Sequence, residues 1–484
     1  MNRSAVAGAL AVGCALAVAH VAAGAAASDP LAPQQWYLEQ ARMFPDPNAL
    51  PRLAPVRVAV IDSGVDLGHP ELAGRIVAAR SFVGGGARDT NGHGTVVAGM
   101  IAAAAGNGIG IAGLAPSARL LIAKIVGPDG GIGVGAEARA LRWAVDQGAR
   151  VVNMSFGGTR DPRHPSRDTF SREEQRAVAY AVRRGVLVVA AVGNADQEPR
   201  EPWPYASWPA ALPHVLGVSA VNRAGRAPSF SNRDRLFNDI AAPGVAIVST
   251  VARSLTATRP ECAEQGYTLC APGDLGSPEG TSFAAALVTA AAANLFALRP
   301  SLRAEQVAAI IQRAATDLTP VTGCAACTQG RDALTGWGLL NARAARAALG
   351  RALPPPDRYE PNDEAGKDAY RLWFAPKRTV RTVRATVDFW DDHDDVYAVH
   401  LHQGQRLIAS LRAAATGTAL AVWAPAARSV NDFSGQRLRL GVSATPGHDE
   451  RLFWTAAVTG WHHVQVRIAE AAGPVRYRLT VTRR

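Results

Sequence analysis

The sequence predicts an α/β chain built around a mostly parallel central sheet, followed by a small all-β sandwich. Three observations predict it. From residue 56 onward, short β-branched runs alternate with stretches of helical length, as they do when strands are buried on both faces beneath helices. After Ala348 that alternation stops, and Ala352-Leu-Pro-Pro-Pro-Asp357 reads as a stiff linker into short alternating strands punctuated by turns. A chain of 484 residues, 48% of them hydrophobic, is long and apolar enough for two or three domains with a large core.

Taken in order, Met1-Asn-Arg3 and the apolar run Ala5 to Ala27, ending Ala25-Ala-Ala27, have the form of a signal peptide cut after Ala27. A retained anchor is the competing reading, because the run is long enough to span a bilayer. Cys14 has too little apolar sequence before it for a lipoprotein site. Residues 28–51 form an N-terminal extension, with no room before Val56 for a long inhibitory propeptide.

Val56-Arg-Val-Ala-Val-Ile61 is a buried-type strand, and Thr95 to Ala105 is a small-residue helix closed by Gly106. Further strands are expected at 120–126, 151–154, 186–192 and 215–221, with helices at 135–147, 172–184, 282–298 and 303–314. Phe283 to Leu298 is almost wholly apolar, but it is short for a span, contains Thr289 and Asn294, and stops at Arg299-Pro300. It reads as the central helix of a globular domain. The domain boundaries expected are 52–349 for the α/β part, 350–358 for the linker and 359–484 for the sandwich.

The formal charge is +11, yet lysine occurs only at Lys124, Lys367 and Lys377, and the arginines are scattered. A dispersed charge argues against a nucleic-acid stripe. Export places Cys262, Cys270, Cys324 and Cys327 in an oxidising setting. Four cysteines allow three pairings, of which the local ones, 262–270 and 324–327, are preferred. Cys324-Ala-Ala-Cys327 lacks the second ligand pair of a zinc site and the βαβ surroundings of a redox motif.

Three segments carry the chemistry: Val-Ile-Asp62-Ser-Gly, Asn91-Gly-His93-Gly-Thr and Gly280-Thr-Ser282. An acid, an imidazole and a hydroxyl are the parts that turn a neutral serine into a nucleophile. Ser282 opens its helix, where unpaired N–H groups favour an anion. Asn194, after a buried strand, offers an amide to a developing oxyanion, although an Asn following Gly193 is also a common turn residue. No Gly-x-Ser-x-Gly surrounds Ser282, which disfavours a serine esterase of the α/β-hydrolase kind.

Residues from about 34 to 349 resemble the subtilisin-like serine proteases (subtilases, peptidase S8), which share the chain order Asp, His, Ser. Val58 to Leu72 is similar to the family's aspartate segment, Asn91 to Gly99 to its histidine segment, and Gly280-Thr-Ser282-Phe-Ala to its nucleophile segment. Val151 to Gly158 resembles its substrate-binding strand and Val188 to Asn194 its oxyanion segment. Ala242-Pro-Gly244 resembles a structural turn, and Gly336 to Ala342 the end of the catalytic domain. The resemblance implies a three-layer α/β fold and a secreted serine endopeptidase of broad specificity acting on proteins or peptides. It implies catalytic residues Asp62, His93 and Ser282, an oxyanion donor in Asn194, and substrate contacts at Ser155, Phe156, Gly157 and Gly158.

Val96 stands where many relatives have a second His, and Ala286 where proline is usual. No cofactor is required for the chemistry. Relatives often bind structural calcium, for which no ligand is assignable here, and His69 reads as a structural histidine rather than a metal ligand. Tyr359-Glu-Pro-Asn-Asp363, Asp395-Val-Tyr-Ala-Val and Tyr477 to Val481 resemble the prepeptidase C-terminal domain of bacterial proteases. Asp388, Asp391, Asp392, Asp394 and Asp395 are expected to form a solvated acidic turn rather than a cation site. The chain is expected to be a monomer without membrane insertion after leader removal. The competing reading is an exported, non-catalytic binding or adhesion protein on the same scaffold, against which the joint presence of Asp62, His93, Asn194 and Ser282 argues.

Overall fold

In the computed structural model, β1 (Val56–Asp62) lies near the middle of a seven-stranded parallel sheet and sends alternate side chains to opposite faces. Val58 and Val60 enter one apolar cluster, Ala59 and Ile61 the other. This two-sided burial is why the strand carries no polar alternation. The structure describes residues 29–43, 53–256, 261–268, 278–353, 355–373, 379–390, 392–432, 438–469 and 473–484. The leader expected at 1–27, Cys270 and Asp391 lie outside them.

The sheet order is β2-β3-β1-β4-β5-β6-β7, with β2 (Ile76–Ser81), β3 (Ala118–Lys124), β4 (Val151–Met154), β5 (Leu187–Ala191), β6 (Val215–Val221) and β7 (Ile240–Pro243). A short α1 (Tyr37–Gln40) precedes it. One face is covered by α2 (His93–Ala102), and the other by α3 (Val134–Asp146) and α4 (Arg172–Arg183). After α5 (Glu261–Glu264), α6 (Thr281–Leu298) runs under β4 to β7 on the α2 face, followed by α7 (Ala304–Arg313) and α8 (Ala342–Ala347). By length and composition α6 is apolar enough to cross a membrane, yet it is 94% buried inside the protein. Its alanines let the sheet approach closely.

Strands β2 and β7 were absent from the sequence reading. β2 is a half-exposed edge strand whose apolar residues stop after Ala79, and β7 is four residues long and ends on Pro243, so Ala242-Pro243 of the expected turn belongs to the opposite edge of the sheet. The His93 helix begins two residues earlier than expected and ends at Ala102.

The second part is two packed antiparallel sheets. One has the order β13-β12-β15-β10-β8 and the other β14-β11-β16-β9. Their strands are β8 (Tyr370–Arg371), β9 (Val380–Val387), β10 (Asp394–Leu401), β11 (Arg406–Ala413), β12 (Thr418–Trp423), β13 (Arg439–Ser443), β14 (Asp449–Thr455), β15 (Gly460–Ile468) and β16 (Val475–Arg483). Only β8 pairs in parallel, with β10. Inward residues of both sheets, among them Val399, Leu411, Val466 and Leu479, form one core. The sandwich docks on the α/β part through Trp390, which stacks on Trp337 with ring centroids 5.0 Å apart and lies beneath Arg313. His214–Asp363 and Arg172–Asp432 pairs, each at 3.0 Å, flank it. Cys324 and Cys327 form a buried disulfide; Cys262 is disulfide-bonded as well.

Candidate active site

Strand β1 ends on Asp62, α2 begins on His93 and Ser282 is the second residue of α6. All three lie at the carboxyl edge of the parallel sheet, where α/β folds place their ligands. Asp62 is buried; its Oδ1 accepts from His93 Nδ1 at 2.8 Å and from the Ser63 N–H at 2.7 Å. Since a carboxylate only accepts, Nδ1 carries the proton and Nε2 is left with its lone pair. Burial draws the His93 pKa down, but the charge and hydrogen bond of Asp62, with Asp89 behind it, outweigh burial and hold it above the ordinary imidazole value.

The His93 ring packs on Phe283, with centroids 5.5 Å apart, which brings the imidazole over the first turn of α6. Ser282 Oγ donates to the Ser155 carbonyl at 3.0 Å, and Ser155 Oγ donates to the Ser282 carbonyl at 2.8 Å. Among the described residues no hydrogen bond joins Ser282 to His93, an arrangement common before substrate binds.

Asn194 follows β5. Its Oδ1 accepts from both the backbone N–H (3.0 Å) and the hydroxyl (2.9 Å) of Thr281. A backbone N–H can only donate, so this contact fixes the amide orientation and leaves Nδ2 outward. Neither Nδ2 nor the Ser282 N–H has a partner among the described residues.

The segment at 155–158 divides. Gly158 spends both its N–H and its carbonyl on Trp208, each at 2.9 Å, and Ser155 is tied to Ser282. Among the described residues, no backbone hydrogen bond is made by Phe156 or Gly157.

Sequence reasoning missed the residue that fastens the site. Asp89, fully buried, accepts at Oδ1 from Ser63 Oγ (2.9 Å) and the N–H groups of Asn91 (3.0 Å) and Gly92 (2.8 Å). Its Oδ2 accepts from the N–H and hydroxyl of Thr95. Ser63 in turn accepts from Gly94 N–H, so the turn before His93 is stitched to the strand end that carries Asp62. An Asp just ahead of Asn-Gly, where Asx turns form, was the available signal. Gly94 permits the approach, because a Cβ there would lie 2.1 Å from the Gly64 carbonyl oxygen. Val96 and Ala286, the two departures, are buried apolar residues, and α6 runs through Ala286 unbroken. His69 is buried, accepts from Glu71 N–H and meets the Tyr267 carbonyl, which accounts for both ring nitrogens.

A family model described as the subtilase family matches residues 54–338. The chain belongs to the subtilase family. It is 40% identical over 206 residues to the major intracellular serine protease of Bacillus subtilis (strain 168), covering 40% of this chain and 60% of that protein. It is 36% identical over 292 residues to subtilisin BL of Lederbergia lenta, covering 60% and 90%, and 33% identical over 233 residues to thermitase of Thermoactinomyces vulgaris, covering 48% and 78%. It thus spans less than two thirds of the length of the Bacillus subtilis relative. A solved structure titled S41 Psychrophilic Protease is similar at 28% identity and a TM-score of 0.49, covering 60% of this chain and 91% of that one.

Beyond the subtilase match, the solvated acidic turn expected at 388–395 is corrected. β10 starts at Asp394, so Asp394 and Asp395 enter the sandwich and are buried. Asp394 accepts from Arg467 and Gln465, and Asp395 from Asn362 and Tyr477. Asp392 and Asp395 meet Asp357 and Glu360, with one carboxylate oxygen from each within 4.8 Å of the others. Glu360 Oε1 and Asp392 Oδ1 are buried without a hydrogen-bond partner among the described residues. Burial, reinforced by the neighbouring acids, pushes Glu360 up to about 10 and Asp392 well above the carboxylate range. Asp395 is pushed to about 7 by burial, against its bond from Tyr477.

Proposed function

We propose that this subtilase is an exported serine endopeptidase in which Ser282 is the nucleophile, His93 the general base and acid, and Asp62 the group that orients and stabilises the imidazole. The observation that carries it is the 2.8 Å Asp62–His93 bond, held over a helix N-terminus whose Ser282 N–H and neighbouring Asn194 amide are open donors. A peptide in extended form pairs with the free backbone of Phe156 and Gly157. Ser282 Oγ turns from the Ser155 carbonyl to His93 Nε2, loses its proton there and attacks the scissile carbonyl. The resulting oxyanion takes hydrogen bonds from Asn194 Nδ2 and Ser282 N–H. His93 then gives its proton to the departing amine, and water repeats the sequence on the acyl-enzyme.

Export is supported by the form of the first 27 residues and by the disulfides. The sandwich is read as an accessory domain of the prepeptidase C-terminal kind. Asp357, Glu360, Asp392 and Asp395 fit a hard cation, because the donors are all oxygen and two of them are buried and unpartnered. A calcium ion held there supplies structure, not chemistry. The deciding experiment is casein hydrolysis together with fluorophosphonate labelling. The mature protein is expected to cleave and to be labelled, and Ser282→Ala to do neither. Equal activity of the two proteins would remove the assignment.

A further inference from the structure

We propose that the crevice between α4 and the sandwich is a binding site for an amphiphilic anion, a small organic molecule with one acidic head and an apolar body. None of the residues lining it belongs to the Ser282 site.

Helix α4 buries Ala177, Val178 and Ala181 against the α/β core. Arg172, Arg176, Ala179 and Arg183 recur every three or four residues, so they stand along its outward face. The sandwich comes over this face without filling the space, and a cavity of about 740 Å³ remains between them. Its far wall is the segment from Pro361 to Arg371, joined by Arg428 and Trp461. A cavity of that size suits a small ligand, and junctions between domains are where such sites occur.

The bed of the cavity is apolar, made by Val178, Val182, Leu212, Pro213, Ala398 and the Trp461 ring. Its rim is cationic, because the acids there are already engaged. Asp363 pairs with His214 at 3.0 Å and Asp368 with Lys367 at 3.5 Å. Glu364 accepts from Ser429 Oγ, Asn431 Nδ2 and the Val430 N–H. Among the cations, Arg172 is matched by Asp432. Arg176, Arg183, Arg371 and Arg428 are exposed and make no ion pair among the described residues. Arg371 lies over the Trp461 ring at 5.2 Å, and Arg428 donates to the Pro425 and Ala427 carbonyls.

An apolar bed beneath unmatched guanidinium groups selects its ligand on two grounds. The body must be apolar to replace water on the bed, and the head must be negative, since a cation would meet four uncompensated positive charges. A carboxylate or sulfate head suits the planar guanidinium fork. Because α4 supplies one wall and the sandwich the other, an occupied cavity ties the two parts together and stabilises the docked state.

The test is calorimetric titration of the mature chain carrying Ser282→Ala, which prevents self-digestion, with decanoate kept below its micelle concentration. Saturable binding at a single site is expected, with a rise in Tm. Acetate has the head without the body, and decyltrimethylammonium has the body with the opposite charge; each is expected to bind at least about tenfold more weakly. Arg176→Glu combined with Arg183→Glu should weaken decanoate binding about tenfold or more. Arg223→Glu combined with Arg226→Glu makes the same charge change on exposed residues outside the cavity and should leave the affinity within about twofold. Heat that does not saturate, or acetate or decyltrimethylammonium binding as tightly as decanoate, overturns the proposal. So does an unchanged affinity after the Arg176 and Arg183 substitutions, or an equal loss after those at Arg223 and Arg226.

Discussion

The start of α6 at Ser282 and the acidic cluster of the sandwich leave opposite groups unpaired. In the α/β part, every oxygen of the buried Asp89 is engaged, by five donors from its own loop and the adjoining strand end, and what stays open beside Ser282 are donors, Asn194 Nδ2 and a backbone N–H. In the sandwich, four carboxyls converge and what stays open are acceptors, Glu360 Oε1 and Asp392 Oδ1. Open donors await negative charge, and open acceptors await a cation or a proton. A buried acid by itself therefore says little; the sign of what remains unsatisfied says what the site is for.

Removing the open donor is expected to have the largest effect. Asn194→Ala should lower kcat by about 100- to 1000-fold, the range given for loss of such a donor in subtilisin itself, with KM little changed and Tm lowered, because the N–H and hydroxyl of buried Thr281 lose their acceptor. A loss confined to KM would show that the amide binds substrate without stabilising the oxyanion.

Next comes the open acceptor. Calcium at about a hundredfold excess over its Kd should stabilise the protein by about 2.7 kcal/mol, measured as a rise in Tm that EDTA reverses. The pH dependence in EDTA follows from the raised carboxyls. A folded pKa above the unfolded value means that the folded state holds the extra protons, so stability is full below the unfolded value near 4 and is lost as pH rises. The loss should run through about 7, where Asp395 titrates, towards about 10, where Glu360 does. Calcium should flatten it, and Asp392→Asn should weaken it. A slope that Asp392→Asn leaves untouched would belong instead to other carboxyls raised to about 7 by burial, Glu71, Glu174 and Glu364 among them.

The smallest effect is expected where charge is already met by neutral dipoles. Asp89→Asn replaces an acceptor by a donor facing N–H groups and should cost about 2 kcal/mol by denaturant unfolding, with part of the activity lost because the His93 turn loosens. An unchanged midpoint would mean that the loop finds its donors other partners.

How much was legible follows from which interactions are local. Asp62, His93, Asn194 and Ser282 stand out because each sits among glycines or small residues at the end of a strongly patterned strand or helix, and those patterns are written in consecutive residues. β2 and β7 were not legible, since edge strands have little apolar periodicity to show. Nor was the division of 155–158: only tertiary pairing with Trp208 removes Gly158 from the open backbone. The acidic turn was misread because Asp357 and Glu360, about thirty residues upstream, join Asp392 and Asp395 only when β10 is threaded into the sandwich.

By itself, then, the sequence determined the layered α/β architecture, the identity of the reactive segments and the presence of a second, all-β part, because periodicity and glycine placement are short-range properties of the chain. The tertiary structure decided which oxygens and N–H groups remain unpaired among the described residues, Asn194 Nδ2, Glu360 Oε1 and Asp392 Oδ1 among them. Satisfaction of a polar group is a sum over neighbours from distant segments, and no stretch of sequence contains that sum.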